Sequence, residues 1–225
     1  MNTDCKNCQF NTKVASALNE SGFSQLSDNH AVVNFQKGDT IIKQGTFSTN
    51  VAFLRTGLVK LHITGPYNEQ IVRLVKAPSY LGLPTTFGDK INQYSVTAVL
   101  EVSVCFIDMT IFRTLLKENE QFSYEIILDL CRNELESFRR CANRIQRQTR
   151  GNIAGLLLEL ADDIFASDEF TLPLSQSEIG NLVDSTRETV SRVLTEFDKD
   201  GTISLNGKII RLLNRTSLEL ICKNG

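Results

Sequence analysis

The sequence predicts an α+β fold in three consecutive parts: a sheet-rich block, one long helix, and a group of helices that ends in a hairpin. Three observations lead to this prediction. Short apolar runs separated by turn residues occupy positions 1–120, a heptad pattern runs through 121–150, and two capped helices precede a hairpin within 151–225. A chain of 225 residues is long enough for one large or two small domains.

The composition excludes several classes of protein. Hydrophobic residues make up 41% of the chain and charged residues 22%, with only 4 prolines, which excludes collagen-like and disordered chains. No apolar run approaches the ~20 residues of a membrane-spanning helix, and the amino end shows no export signal. We therefore expect a soluble, cytoplasmic protein that does not enter a membrane. Its 6 cysteines are then expected to be thiols or metal ligands rather than a disulfide framework.

The first part, residues 1–120, has the pattern of a β-sandwich or barrel. Its apolar runs are punctuated by glycine-containing turns at roughly ten-residue spacing, which is typical of short strands. The runs are 32–33, 40–42, 51–54, 58–63, 71–75, 94–100 and 102–107. A segment of helical composition near 12–26 precedes them, so we expect a small helical lead before the sheet.

The second part, residues 121–150, carries a seam of apolar residues along one helix. Its members are spaced alternately by four and three positions: Tyr124, Leu128, Cys131, Leu135, Phe138, Ala142 and Ile145. A seam of this kind packs against another helix, and a second copy of the chain is the simplest partner. The alternative is a helix that packs only on the chain's own sheet domain. We predict a homodimer held together by this helix.

The third part, residues 151–225, has the pattern of a winged helix-turn-helix. Capping boxes at 175–178 and 185–188 each open a helix, and Gly201 ends the second one. The two helices bury apolar stripes made of Ile179, Leu182 and Val183, and of Val190, Val193, Leu194 and Phe197. An Asn-Gly dipeptide at 206–207 joins strands 202–205 and 208–213, which is the strongest short hairpin signal.

Charge is distributed unevenly within this third part. Residues 151–225 hold 7 basic and 12 acidic side chains, whereas residues 185–215 hold 6 basic and only 4 acidic ones. The net charge of the whole chain is −2, so the composition predicts no general affinity for polyanions. A nucleic acid would therefore have to bind locally, and its binding should depend on salt.

The second capped helix displays the residues that we predict to contact DNA. Arginine can donate two hydrogen bonds to guanine, glutamate can accept one from cytosine, and serine can bond a base or a phosphate. The predicted contact residues are Ser185, Thr186, Arg187, Glu188, Thr189, Ser191, Arg192 and, in the hairpin, Lys208. The alternative is that Glu188 and Arg192 form an ordinary surface ion pair, four residues apart on a helix.

The segment 175–194 resembles the helix-turn-helix of the catabolite-activator and fumarate–nitrate (CRP/FNR) regulators, most specifically at Arg187–Arg192. A similarity to the family's cyclic-nucleotide-type β-roll lies in the spacing of Lys37, Gly38, Asp39, Ile42, Gly45, Phe53, Gly57 and Val59. The two similarities cover nearly the whole chain in the family's order of roll, dimer helix and winged helix. They imply a homodimeric transcription regulator that recruits or blocks RNA polymerase.

The resemblance also implies base-reading roles. Glu188, Ser191 and Arg192 match base-reading positions of the fumarate–nitrate branch, and Arg187 and Glu188 match those of the catabolite-activator branch. The implied ligand is double-stranded DNA with a palindromic site whose half-sites contain TGA-like sequence.

The competing class is a small-ligand-binding regulatory subunit of an enzyme. We predict no enzymatic activity of the chain itself, because no catalytic triad order, phosphate loop or metalloprotease spacing is present. Only 2 histidines are available as acid–base groups. A regulatory subunit would also lack a capped helix that displays Arg187 to Arg192, which favours the DNA-binding interpretation.

The nature of the effector follows from two departures from the family pattern. Cyclic-nucleotide binders of this family place a glutamate soon after a glycine, and an arginine before a serine or threonine, to hold the ribose and the cyclic phosphate. Here Leu83 stands at the glutamate position and Tyr94 at the arginine position, so the resemblance argues against cyclic AMP. The predicted effector pocket consists of Gly82, Leu83, Pro84, Thr85, Thr86, Tyr94 and Ser95.

The cysteines offer a rival sensor. Cys105 resembles the internal iron–sulfur ligand of the fumarate–nitrate regulators, and Cys5 and Cys8 form a CxxC pair near the amino end. Those regulators use four cysteines, whereas none lies between Cys8 and Cys105 here, so a cluster would need a non-cysteine fourth ligand such as His30 or Asp28. The alternatives are a zinc site, a redox pair, or a buried Cys105 beside an idle terminus.

Overall fold

The computed structural model describes Cys8 and residues 14–225. The chain divides into two compact units. The first comprises the chain up to Thr64 together with Arg73–Glu136, and the second comprises Gly65–Val72 together with Ser137–Gly225. Within the described residues, no helix is both long enough and apolar enough to cross a membrane.

The amino-terminal half of the chain consists of short strands flanked by short helices. The strands are β1 (His30–Phe35), β2 (Thr40–Ile42), β3 (Asn50–Thr56), β4 (Leu58–Thr64), β5 (Glu69–Lys76), β6 (Ser79–Leu81), β7 (Ser95–Ala98) and β8 (Val102–Asp108). The helices are a 3₁₀ turn (Ala15–Ala17), α1 (Glu20–Asp28), α2 (Leu83–Phe87) and α3 (Met109–Glu118). Each predicted apolar run overlaps one strand, whereas β6, α2 and α3 were not predicted.

The strands form two antiparallel four-stranded sheets, in the orders β1-β8-β3-β6 and β2-β7-β4-β5. Buried apolar side chains from both sheets meet in one cluster, to which Leu54 of β3, Leu61 of β4, Val96 of β7 and Val104 of β8 belong. A second cluster joins the outer face of β3 and β8 to helices α1 and α3, with Phe112 fully buried at its centre. Of the two predicted architectures, sandwich and barrel, the structure shows two separate sheets that share one apolar core.

Helix α4 (Glu120–Gln146) is shorter than the predicted segment 121–150. It ends before Gln148, whose extended backbone makes it the residue that caps the next helix, α5 (Thr149–Glu159). The heptad pattern therefore belongs to α4 alone, because its last member, Ile145, lies in the final turn of that helix.

The carboxyl-terminal part continues from α5 through a π-helical turn (Leu160–Phe165) and strand β9 (Glu169–Thr171). The remaining elements are α6 (Gln176–Val183), α7 (Arg187–Lys199), β10 (Ile203–Asn206), β11 (Ile209–Leu212) and α8 (Arg215–Asn224). The strands form a three-stranded sheet in the order β10-β11-β9, so the predicted hairpin carries a third strand.

The helix-turn-helix forms because both of its helices are capped by their own sequence. Ser175 and Glu178 form the predicted capping box of α6. The second predicted box is wrong: α7 is capped by the Thr186 side chain, which accepts a hydrogen bond from the Thr189 N–H at 3.2 Å. Ser185 belongs to the turn instead, because its N–H donates to the Gly180 carbonyl at 3.0 Å.

The hairpin turn lies one residue later than predicted. Asn206 pairs with Ile209 in the ladder, which leaves Gly207 and Lys208 as the two turn residues. Gly207 has a φ of 61°, a backbone conformation that costs glycine little because it has no Cβ. The position of the glycine, rather than that of the asparagine, therefore sets the turn.

Candidate DNA-binding surface

Helix α7 has one buried and one exposed face. The predicted stripe of Val190, Val193, Leu194 and Phe197 is buried, with each side chain at most 2% exposed. The same face packs against α6, in which Ile179, Leu182 and Val183 are buried as predicted. The polar residues of α7 are thus held outward by the core beneath them.

A shallow groove of about 690 Å³ runs along this outward face. It is lined by Gln176, Arg187, Glu188, Ser191, Arg192, Thr195, Glu196 and Lys199. Four of the predicted contact residues therefore share one surface: Arg187, Glu188, Ser191 and Arg192. The predicted contact set did not include the other four lining residues, Gln176, Thr195, Glu196 and Lys199, although Gln176 follows the Ser175 cap and so had to lie at the start of α6.

Glu188 remains ionised near neutral pH. Hydrogen bonds from its own backbone N–H and from the Thr186 hydroxyl lower the pKa of its carboxyl group. Its position in the first turn of α7 also favours negative charge, because the N-terminus of a helix carries a partial positive charge. An ionised carboxylate is a pure hydrogen-bond acceptor, as recognition of the cytosine amino group requires.

Arg192 lines the groove and is paired within its own helix. Its Nη1 atom donates to Glu196 Oε1 at 2.7 Å. The alternative of a Glu188–Arg192 surface pair finds no support among the described residues, since the partner of Arg192 lies four residues after it rather than before it. Within the described part of the chain, the carboxylate of Glu188 therefore contacts only the N-terminal groups of α7 named above and solvent.

The remaining predicted contact residues have different surroundings. Ser185 is half-buried in the turn, whereas Thr186 and Thr189 share the cap of α7 through a contact of 3.2 Å between their hydroxyls. Lys208 is exposed in the hairpin turn, and its carbonyl accepts from the Leu172 N–H at 2.7 Å. The backbone bond fixes the turn and leaves the lysine side chain free to reach outward.

The predicted seam on α4 is largely uncovered in the single chain. Leu135 is 64% exposed and Ile145 is 78% exposed, and Tyr124 and Phe138 are also exposed. Cys131 and Ala142 are exposed as well, whereas Leu128 is half-buried. The structure adds Ile127 to this exposed apolar set. Large apolar side chains in such a row are a typical protein–protein contact surface.

The predicted effector pocket is brought together by α2, whose N-cap residue is Gly82. Tyr94 meets Gly82 and Thr85 there, since hydrogen bonds from the Gly82 backbone and the Thr85 side chain reach its hydroxyl. Burial outweighs these bonds and raises the pKa of Tyr94 above its usual value, so this group is a neutral phenol.

The other pocket residues are mostly used by the fold. Leu83 is buried in the apolar cluster, and Pro84 is exposed. Thr86 is fully buried and its hydroxyl lies 2.9 Å from that of Ser48, while the Ser95 hydroxyl accepts from the Gln44 N–H at 3.0 Å. The pocket thus offers no carboxylate at the position of Leu83 and no guanidinium at that of Tyr94.

The described cysteines do not provide a metal site. Cys105 is buried within the apolar cluster of β8, and Cys8 Sγ accepts a long contact of 4.0 Å from Arg55 Nη2. Cys5 lies outside the described residues. Among Cys8 and residues 14–225, no group of three or more His, Cys, Asp or Glu side chains could hold a metal ion. These residues therefore do not fit an iron–sulfur cluster.

Comparison with known proteins identifies both parts of the chain. Residues 32–119 match the cyclic nucleotide-binding domain family, and residues 152–221 match the Crp-like helix-turn-helix domain family. The transcriptional activator protein anr of Pseudomonas aeruginosa is 30% identical over 198 residues, which cover 84% of this chain and 79% of that protein. The fumarate and nitrate reduction regulatory protein of Vibrio cholerae is 28% identical over 226 residues, covering 95% and 88%.

The solved structures agree on the fold. FixK2 from Bradyrhizobium japonicum superimposes with a TM-score of 0.77 at 19% sequence identity, over 85% of this chain and 96% of that one. The relatives are named as a regulatory protein and a transcriptional activator, and neither name is that of an enzyme. The chain belongs to the CRP/FNR family of DNA-binding transcription regulators.

Proposed function

We propose that the protein is a homodimer that binds a palindromic DNA site and thereby recruits or blocks RNA polymerase. We assign sensing to residues 1–120, dimerisation to 121–150 and DNA binding to 151–225. The observation that carries the proposal is the outward face of α7, where Arg187, Glu188, Ser191 and Arg192 line one groove. A helix of this kind reads base edges in the major groove through its first turns.

The four residues have complementary chemistry for a half-site that contains TGA. Arg187 and Arg192 supply guanidinium donors for guanine O6 and N7, and Glu188 supplies an acceptor for the cytosine amino group. Ser191 can bond a base or a phosphate. The exposed seam on α4 supports a dimer in which the α4 helices of two chains pack together. Such a dimer carries two copies of α7, one for each half-site of a palindrome.

Replacing Arg192 or Glu188 with alanine is expected to relax sequence recognition. Each variant should lose about 1–3 kcal/mol of discrimination at one base pair, because one base edge loses its hydrogen-bonding partner. The measurement is a binding titration with duplexes that carry two inverted TGA half-sites, compared with duplexes in which each base pair is changed in turn. Variants that discriminate as the wild type does would show that these residues do not read bases.

Lys208→Ala is the matched control, because a contact to the phosphate backbone does not depend on the DNA sequence. Lys208 is exposed in the hairpin turn, where a lysine can reach phosphate. Its loss should weaken binding to all duplexes alike and reduce the slope of log K against log salt by about 1. Unequal losses across the duplexes would assign Lys208 to base reading instead.

We propose further that the effector of the amino-terminal unit is not cyclic AMP. The support is the pair of Leu83 and Tyr94, one in an apolar core and the other a half-buried neutral phenol. A cyclic phosphate needs a cation and the ribose needs a hydrogen-bond acceptor, and neither position supplies its group.

Titration calorimetry with cyclic AMP is therefore expected to give no binding heat, and the nucleotide should leave the affinity for duplex DNA unchanged. A saturable binding isotherm for cyclic AMP would contradict this part of the proposal. The DNA-binding assignment does not depend on that result, because the titration with duplexes tests it separately.

A further inference from the structure

Glu196 is an acidic residue on a surface that we propose to face DNA. It lines the groove with Arg187, Ser191 and Arg192, where negative charge repels phosphate. The stability of α7 gives only a small reason for an acid at this position. Arg192 precedes Glu196 by four residues, which is the less favourable order for such a pair, and the acid lies in the second half of α7, towards its negative end.

The contact between the two side chains leaves part of the arginine free. Glu196 Oε1 accepts from Arg192 Nη1 at 2.7 Å. Within the described part of the chain, Nε and Nη2 of Arg192 have no hydrogen-bond acceptor. The Nε–Nη2 edge of a guanidinium is one of its two forks for bidentate recognition, so a base can still receive two hydrogen bonds from Arg192.

Glu196 is itself held in place from the other side. Its Oε2 atom accepts from Arg150 Nη1 at 3.0 Å, and Arg150 Nη2 donates to Asp200 Oδ2 at 3.0 Å. The Arg150 guanidinium also lies over the ring of Phe197, with its central carbon 4.9 Å from the ring centroid. Since Phe197 is fully buried, Arg150 rests on a fixed platform.

We propose that Glu196 is a positioning residue for Arg192, and that Arg150 in turn positions Glu196. This inference rests on the proposed function, in which Arg192 reads a base. An unpaired arginine on a helix surface samples many rotamers and must lose that freedom when it binds. The contacts from Arg150 to Glu196 and from Glu196 to Arg192 restrict the Arg192 side chain before DNA binds. They leave its Nε–Nη2 edge available to a base. Arg150 lies in the first turn of α5, four residues after the end of α4 at Gln146.

The test measures discrimination between the duplex with two inverted TGA half-sites and its single-base variants. Glu196→Ala should lower discrimination at the base pair that Arg192 reads by roughly two- to fivefold, the range of an exposed ion pair. Glu196→Gln keeps one acceptor oxygen, which can serve Arg192 or Arg150 but not both, so its discrimination should lie between those of the wild type and Glu196→Ala. Glu219→Ala removes an exposed acid from α8 and is the control for charge alone.

A double substitution separates positioning from a general structural effect. If Glu196 acts through Arg192, then Arg192→Ala combined with Glu196→Ala should discriminate no worse than Arg192→Ala alone. Arg150→Gln should resemble Glu196→Ala at the same base pair. Thermal unfolding of each variant, followed by circular dichroism, verifies that the fold is kept.

The outcomes distinguish this inference from the function on which it rests. Wild-type discrimination in Arg192→Ala would overturn the proposed readout and the inference with it. Loss in Arg192→Ala without loss in Glu196→Ala would overturn the inference alone, as would additive losses in the double variant. Increased discrimination in Glu196→Ala would show that Glu196 competes with the base for Arg192.

Discussion

Leu135→Glu is expected to convert the proposed dimer into monomers. Leu135 is 64% exposed in the single chain and lies in the middle of the seam on α4. Burying one leucine contributes about 1.5–3 kcal/mol, and a symmetric interface buries two of them. Losing both should raise the dimer dissociation constant by at least roughly 100-fold, and two glutamates placed across the seam add repulsion.

The loss of the dimer should carry over to DNA binding. A monomer contacts one half-site and loses the avidity of the second, which is worth about 10²–10⁴-fold. Sedimentation velocity measures the oligomeric state, and a titration with the palindromic duplex measures the second effect. Leu135→Met preserves an apolar side chain and should remain dimeric. A dimer of unchanged strength in Leu135→Glu would refute the seam as the dimer contact.

Gly180→Ala is expected to destabilise the helix-turn-helix. A Cβ at position 180 would lie 2.6 Å from the backbone carbonyl oxygen of Ser185, in the turn that leads to α7. A backbone carbonyl cannot rotate away as a side chain can, so the turn that contains Ser185 must shift. Overpacking of this kind costs about 1–3 kcal/mol. Thermal unfolding should show the loss, and binding to the TGA duplex should fall because the turn sets the start of α7.

Gly155→Ala is the matched control, since it is also a glycine within a helix of the same unit. Its added Cβ would meet only the ends of two side chains, Cys222 Sγ at 3.2 Å and Arg147 Nη1 at 3.3 Å, which can move. Alanine is the better helix former by roughly 0.5–1 kcal/mol, so this variant should be as stable as the wild type or slightly more stable. Equal unfolding temperatures for both variants would contradict the tight turn at Gly180.

The elements that the sequence predicted well depend on local patterns. The stripes of α6 and α7, the Ser175 cap and the positions of seven strands follow from the spacing of apolar and capping residues within one element. The errors are also local: Thr186 rather than Ser185 caps α7, and the hairpin turn uses Gly207 and Lys208. Two neighbouring capping residues, or two neighbouring turn residues, are equivalent in pattern, and the packing of the turn decides between them.

By itself, therefore, the sequence determined the order of sheet, long helix and winged helix-turn-helix, and the polar face of α7. Only the tertiary structure revealed that Tyr94 meets Gly82 and Thr85, and that Arg150 holds Glu196 across 46 positions of chain. Helical and strand periodicities are fixed by the backbone over a few residues, so they are visible in sequence. Contacts between side chains far apart in the chain arise only after the elements pack, and no local pattern encodes them.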